Sequence, residues 1–370
     1  MKFIINKQNF LKALSTIEGI ISAREIRSSI GNVLIESTST GIDLTSTDLL
    51  MTLKTSVEAN VVEPGNVMLP GRMLSQAIRS FRYDNIEFTE KNEQVIIHDA
   101  DNKGKTEIEI MSSPADEFQV KISNSNLNFV SLPPTMISEM IDRCVYAVAE
   151  DDSRYAFTGL YFENKEGRLI VVGTDGRRLS VVARAIPDPI KIGEGIIIPV
   201  KTIRELRKLL TASDQLSIAN DAGENTILFK LKDSIFISKL VESKYPDYTQ
   251  VIPKKSEYAI RLNKEDFRLA IKQASVLAAE PSRQIQLSFE KGQVKIQSST
   301  PDVGRVEDII ACSFEGEPFT IAFNSNFLTD VLSVIKSEQV ELQVSSSSAP
   351  AVIVDTDDAD FKAVIMPMRF

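Results

Sequence analysis

Residues 2–22 read KFIINKQNFLKALSTIEGIIS, and the same design returns twice, as LNFVSLPPTMISEMIDRCVYAVA at 127–149 and YAIRLNKEDFRLAIKQASVLAAE at 258–280. Each stretch is a short apolar strand, a break, then an amphipathic helix. Phe10, Leu14 and Ile17 fall at the spacing of one buried helix face, as do Ile137, Ile141, Cys144 and Val148, and Phe267, Ile271, Ala274 and Leu277. The starts lie 125 and 131 residues apart. Solenoid repeats recur at roughly 20–50 residues, so this period marks three copies of a whole domain.

Each copy holds a second strand–break–helix unit: GNVMLPGRMLSQAIRSFR (65–82), GIIIPVKTIRELRKLLTA (195–212) and FTIAFNSNFLTDVLSVIKS (319–337). Here the apolar spacing picks out Met73, Ala77 and Phe81, then Ile203, Leu206 and Leu210, then Leu328, Leu332 and Ile335. Between helices the chain alternates as strands do: Val33 and Ile35, then Ile42 and Leu44 after Gly41; LYFE (160–163) and LIVVG (169–173) around NKEG; IQLSFE (285–290) and VKIQS (294–298) around Lys291-Gly292. Every unit thus reads β-α-β-β-β, and two such units make an α+β domain with both helices on one side of a sheet-rich shell. The polar SNSN (123–126) and the IPKKSE stretch (252–257) place the domains at 1–125, 126–252 and 253–370. The run SSSS (345–348) reads as a loop before the strand AVIV (351–354).

The chain has 370 residues, 43% apolar and 25% charged, ordinary for a globular protein of three domains. Its longest apolar runs are too short to span a bilayer, and MKFIINK has no signal-peptide core, so a cytoplasmic protein is expected. Cys144 and Cys312 sit in apolar patterns and read as reduced core residues. The net charge of −9 argues against a polyanion partner, but its distribution reverses the argument. The six helical zones with their adjoining turns sum to +6, which leaves −15 on everything else. Cationic helices in an acidic protein suit a face turned to a polyanion.

The parts of a catalytic or metal site are scarce. His98 is the only histidine, on a strand running into a turn. There is no Cys/His spacing for a metal, no GxxxxGK[ST] loop and no GxGxxG after a strand. The acidic run EDD (150–152) reads as a solvated turn after a helix. No cofactor, metal or catalytic residue is expected. Two features stand apart. GTDGRRLSVV (173–182) carries an Asp-Gly turn followed by two arginines; the related STDLL (46–50) makes the turn partly architectural, and Gly176-Arg177-Arg178 is the excess. The C-terminal VIMPMRF (364–370) is apolar where chain ends are usually polar, and fits either a buried strand or the wall of a groove.

These residues resemble the bacterial DNA polymerase III beta subunit, the sliding-clamp family. The likeness spans essentially the whole chain and rests on MKF with its following helix, LPGRML (69–74), RYAFTGLYFE (154–163), GTDGRRL (173–179), KLVESKYPDY (239–248) with Val251 and Pro253, and MPMRF (366–370). The resemblance implies three similar clamp domains, helices lining the inside of a ring and sheets outside, two subunits joined head to tail around duplex DNA, and no catalysis, exonuclease activity included. Six domains of this size would leave a hole of about 34 Å, wide enough for a duplex and water.

The resemblance further implies three groups of residues. Phosphate-facing candidates are Arg24, Arg27, Arg72, Arg79, Arg82, Lys201, Arg204, Arg207, Lys208, Lys264, Arg268 and Lys272. A pocket for short linear peptides of the polymerase, clamp loader, repair proteins and translesion polymerases takes Phe157, Thr174, Gly176, Arg177, Arg178, Leu179, Pro246, Val251, Val364, Met366, Pro367, Met368 and Arg369. Arg177 replaces a common histidine, Gln250 a common arginine and Phe370 a common leucine. The subunit contact joins Lys103, Lys105, Ile108 and Ile110 of domain one to Val276, Leu277, Glu307 and Asp308 of domain three. The alternative reading is a linear peptide-binding adaptor that never closes around DNA.

Overall fold

The computed structural model describes residues 1–21, 30–101, 103–118 and 127–369. Arg24, Arg27, the SNSN boundary and Phe370 lie outside them. The first repeat runs β1 (Lys2–Asn6), α1 (Lys7–Ile17), β2 (Asn32–Ser37), β3 (Gly41–Thr47), β4 (Met51–Glu58), β5 (Asn60–Glu63), β6 (Asn66–Pro70), α2 (Gly71–Ser80), β7 (Asn85–Lys91), β8 (Gln94–Asp99) and β9 (Glu107–Met111). The second runs β10 (Val130–Ser131), α3 (Pro134–Cys144), β11 (Gly159–Lys165), β12 (Arg168–Thr174), β13 (Arg178–Ala185), β14 (Ile196–Pro199), α4 (Val200–Thr211), β15 (Leu216–Asp221), β16 (Thr226–Leu231) and β17 (Ser234–Lys239). The third runs β18 (Tyr258–Asn263), α5 (Lys264–Ser275), β19 (Gln284–Glu290), β20 (Gln293–Thr300), β21 (Gly304–Ala311), β22 (Phe319–Asn324), α6 (Ser325–Val334), β23 (Gln339–Val344), β24 (Ala351–Asp355) and β25 (Asp358–Ile365). All six units are β-α-β-β-β as their periodicity requires; β5 is the one strand that the pattern omits.

Helix starts follow from local chemistry. Asn6, Asn263 and Asn324 each turn a side-chain oxygen onto the first free backbone N–H groups of α1, α5 and α6. Pro70 and Pro199 precede α2 and α4 and fix the entry of the chain. The predicted faces are buried except at Met73, Ala77 and Leu277, the last two being half-buried. Met73 is 59% exposed, and Leu74 and Ile78 occupy the interior instead. Both phases offer an apolar residue every fourth position, and the one that meets the sheet is set by where Gly71 starts the helix, packed against Ile21 and Val33.

Each repeat exchanges its first strands. β1 pairs with β7 of the second unit while β6 pairs with β2 of the first; β10 pairs with β15 and β14 with β11; β18 pairs with β23 and β22 with β19. The third strand of a unit is left at an edge, and edges demand a partner. β17 of the second repeat takes β4 of the first, giving the eight-stranded order β10-β15-β16-β17-β4-β3-β2-β6. β25 of the third takes β13 of the second, giving β14-β11-β12-β13-β25-β24-β23-β18. The remaining sheets, β5-β1-β7-β8-β9 and β21-β20-β19-β22, end on β9 and β21.

Two compact bodies result: Met1–Thr135 with Arg204–Leu240, and Met136–Ile203 with Val241–Phe370. The second repeat is shared between them because its two halves belong to different eight-stranded sheets. Within the second body Arg143, buried on α3, reaches Asp355 (3.0 Å) and Asp358 (3.4 Å) at the β24–β25 turn and lies over Phe361 (4.6 Å), tying α3 to the third repeat. No described helix is long and apolar enough to cross a membrane.

Candidate functional site

The Asp-Gly turn between β12 and β13 is built from its own side chains. Asp175 accepts from the backbone N–H of Arg177 (2.8 Å) and Arg178 (3.0 Å), and Thr174 accepts from Gly176 (3.0 Å). Gly176 stands at φ +84°, where a side chain is strained and a Cβ would lie 2.7 Å from Arg154 Nη1. The related turn after β3 repeats the bonding: Asp48 accepts from Leu50 and Met51, and Thr47 from Leu49. The turn is architectural in both places; the arginines are what the second adds.

Those arginines divide. Arg178 is held by Asp175 (3.0 Å) and by Asp330 of α6 (2.5 Å), over the Phe327 ring (4.5 Å), so it fastens the turn to the third repeat. Arg177 is exposed, and its carbonyl accepts from Met366 N (2.9 Å), which brings the C-terminal segment to the turn. Arg154, absent from the predicted set, lies over Phe157 (4.5 Å), donates to the Asp175 carbonyl (3.2 Å) and grips Asp152 (2.6 Å). Its guanidinium holds the Asp152 carboxyl down to about 2. The EDD run therefore supplies a clamp for Arg154, and no described cluster of acidic, His or Cys residues could hold a metal ion.

Beneath the turn, Leu179 stands opposite Val364 across β13 and β25, in one apolar cluster with Ala156, Val172, Ile197, Tyr245 and Val352. Phe157, Tyr161 and Tyr248 pack against it, and Tyr161 stacks on Tyr245 (4.5 Å between rings). Burial, then the nearby Glu163, pushes the Tyr161 hydroxyl up to about 12, so it stays a neutral donor, to the Glu194 carbonyl (2.6 Å). Val251 and Met366 keep exposed surface and Pro246 is exposed, whereas Val364 and Leu179 are buried floor. Met368 departs toward β22, donating to the Ala322 carbonyl (2.8 Å), while Arg369 is exposed. Gln250, on the turn Tyr248–Val251, donates to Asp247 (3.0 Å). The structure thus brings Phe157, the 174–179 turn, Val364 and Met366 together. Sequence reading missed Arg154 and the tyrosines, although the RYAF tetrad places a cation three residues before Phe157.

The helix cations also divide. Arg72, Arg82 and Lys272 are exposed and have no ion-pair partner among the described residues. Lys201 and Arg204 are exposed on α4, and Arg207 donates to Thr211 (2.9 Å). Arg79, Lys208 and Arg268 each hold a carboxylate. Lys264 is spent elsewhere: its ammonium donates to the Ile335 carbonyl (3.1 Å) and caps α6, as Lys7 caps α2 through Arg79 and Phe81. His98 sits half-exposed on β8 beside Glu87 (3.2 Å).

At the two open edges, Lys103 and Lys105 are exposed, Ile108 is half-buried and Ile110 buried on β9. Asp99 accepts from the backbone of Asp101, Lys103 and Gly104 and shapes the approach to that strand. On the other edge Glu307 is exposed and Asp308 half-buried, Val276 is exposed at the end of α5, and Leu277 lies near Gly304 of β21.

Consecutive stretches match the DNA polymerase III beta subunit N-terminal domain (residues 1–123), central domain (131–247) and C-terminal domain (249–369). The beta sliding clamp of Pseudomonas putida is 30% identical over 370 residues, all of both chains. The crystal structure of the DNA polymerase III subunit beta from Pseudomonas aeruginosa superposes with a TM-score of 0.92 at 29% identity over the full length of both, and Caulobacter crescentus pol III beta with 0.93 at 26%. The chain belongs to the DNA polymerase III beta subunit family, the bacterial sliding clamps.

Proposed function

We propose that two copies of this chain close head to tail into a ring around duplex DNA and act, without catalysis, as the cytoplasmic processivity factor of the replicative polymerase. What carries the reading is the pairing rule inside the chain. Third strands of successive repeats join twice, β4 with β17 and β13 with β25, and the same rule leaves β21 of one copy for β9 of another. Such a contact is heterologous and closes when two copies complete the circle.

The rule also supplies a register. Phe236 stands opposite Leu53 at the first junction and Ala363 opposite Ser180 at the second. Counted along the cross-strand ladders, Ile108 holds the place of Phe236 and Ala363, and Val306 that of Leu53 and Ser180. Ile108 opposite Val306 puts Glu109 opposite Arg305 and Met111 opposite Val303, with Lys105 diagonal to Glu307. An opposite charge and an apolar pair thus meet where each edge now exposes them.

Retention is topological, so Arg72, Arg79, Arg82, Lys201, Arg204, Arg207, Lys208, Lys264, Arg268 and Lys272 need only weak, sequence-independent phosphate contacts. Arg177, Gly176, Phe157, Val251, Pro246 and Met366 over the Leu179–Val364 floor receive short linear peptides of the polymerase, clamp loader and repair proteins. The domains are those of the three repeats, 1–125, 126–252 and 253–370. The test is escape from DNA: the protein should stay on a circular duplex at elevated salt and leave within minutes of linearisation. Equal escape from both forms would favour the open adaptor.

A further inference from the structure

Arg79, Lys208 and Arg268, all expected to meet phosphate, each already hold a carboxylate, one in each repeat's share of the helices. Arg79 on α2 pairs with Glu18 beyond α1 (2.6 Å), Lys208 on α4 with Glu205 (2.7 Å), and Arg268 on α5 with Glu265 (2.5 Å). In the first case the acid sits at the C-terminal cap of the neighbouring helix α1; in the other two it lies three residues before the cation. All three cations remain substantially solvent-exposed. The Arg79–Glu18 and Arg268–Glu265 pairs are exposed on both sides and add little to stability, and in the third the Lys208 ammonium stays in solvent while Glu205 is largely covered, so folding does not account for the recurrence.

We propose that Glu18, Glu205 and Glu265 set the sliding friction of the ring on DNA, an inference that rests on the encirclement argued above. Movement along a duplex requires each cation to leave one phosphate before it meets the next. The barrier is the depth of the local contact. A cation that also holds a carboxylate offers phosphate a nearly neutral pair, and the carboxylate reclaims the cation as the phosphate moves away. The long-range attraction is left to Arg72, Arg82 and Lys272, which lack such a partner among the described residues. The arrangement keeps an attractive lining while flattening the wells along the path.

The test compares one-dimensional diffusion of fluorescent clamps on end-blocked duplex DNA for the unsubstituted protein, the triple variant Glu18→Gln, Glu205→Gln, Glu265→Gln, and the control Glu36→Gln, whose carboxylate faces Lys54 on the β2–β4 sheet (3.5 Å). The triple variant should diffuse at least about threefold more slowly at low salt, converge on the unsubstituted rate as salt rises, and gain about 0.9 in the salt slope of DNA affinity for each phosphate newly neutralised. Unchanged diffusion of the triple variant on a ring still retained by circular DNA overturns this inference alone. Equal slowing by Glu36→Gln also overturns it. Failure of the unsubstituted protein to be retained on circles overturns the inference together with the encirclement.

Discussion

Val303 is the most direct handle on the proposed seam. It is 70% exposed in the protomer, as Met111 is 66% exposed on the opposite edge. Complete burial of such a side chain contributes about 1.5–3 kcal/mol. The exposed part of Val303 alone is therefore worth about 1–2 kcal/mol per seam. A ring of two copies contains two seams, so Val303→Asp should weaken the dimer by about 2–4 kcal/mol, roughly 30- to 1,000-fold in Kd. Sedimentation equilibrium across a concentration series reads this directly. Circular dichroism should show an unchanged thermal midpoint for the protomer, because the residue has little to lose there. Leu49→Asp serves as the control, since Leu49 is 55% exposed on the turn after β3, away from both open edges. A Kd altered less than threefold by Val303→Asp, or equally by Leu49→Asp, would refute the register.

Three further outcomes follow from the described contacts. Gly176→Ala forces a side chain into φ +84° and against Arg154, a strain of about 1–2 kcal/mol; peptide affinity measured by fluorescence anisotropy should drop roughly 5- to 30-fold, and an unchanged Kd would remove the turn from the site. Burial opposes ionisation of Asp355, but Ser337, the Lys336 N–H and Arg143 outweigh it and hold its pKa below the ordinary value; burial likewise opposes ionisation of Glu139, and Lys336 and Arg184 outweigh it. The stabilisation from these carboxylates is complete above about pH 4–4.5 and lost as pH falls through their lower folded values, so Asp355→Asn should lower the unfolding free energy at pH 7 by about 3 kcal/mol, as for a broken buried pair, and flatten its acid dependence; denaturation curves showing parallel pH dependence for both proteins would contradict this. Burial pushes the Cys144 thiol up to about 12, so alkylation at pH 8 should wait for unfolding, and rapid labelling of the native protein by mass spectrometry would show the α3 face to be open.

The local pattern made the six helices and most strands legible, because amphipathic spacing reports which face is buried. It could not report strand exchange: that β1 pairs with β7 and β6 with β2 depends on partners tens of residues apart, and nothing in either strand names the other. Met73 was misplaced because periodicity fixes the spacing of a face and only tertiary contact fixes its phase. The turn at 173–179 was readable from Asp175 and Gly176. Arg178 looked like a surface ligand until Asp330 and Phe327 appeared beside it from 152 and 149 residues away. Likewise Glu205–Lys208 and Glu265–Arg268 are visible as helical i, i+3 pairs, whereas Glu18–Arg79 and the Lys264 cap of α6 required the fold.

Covalent closure of the seam on DNA tests the central claim most directly. In the register derived above, Glu109→Cys and Arg305→Cys face one another across each β9–β21 contact, so oxidation of the double variant assembled on circular DNA should lock a ring. The account predicts a protein–DNA catenane that survives denaturing detergent and is released by reducing the disulfides or cutting the circle. Oxidised protein that detergent strips from intact circles would contradict it.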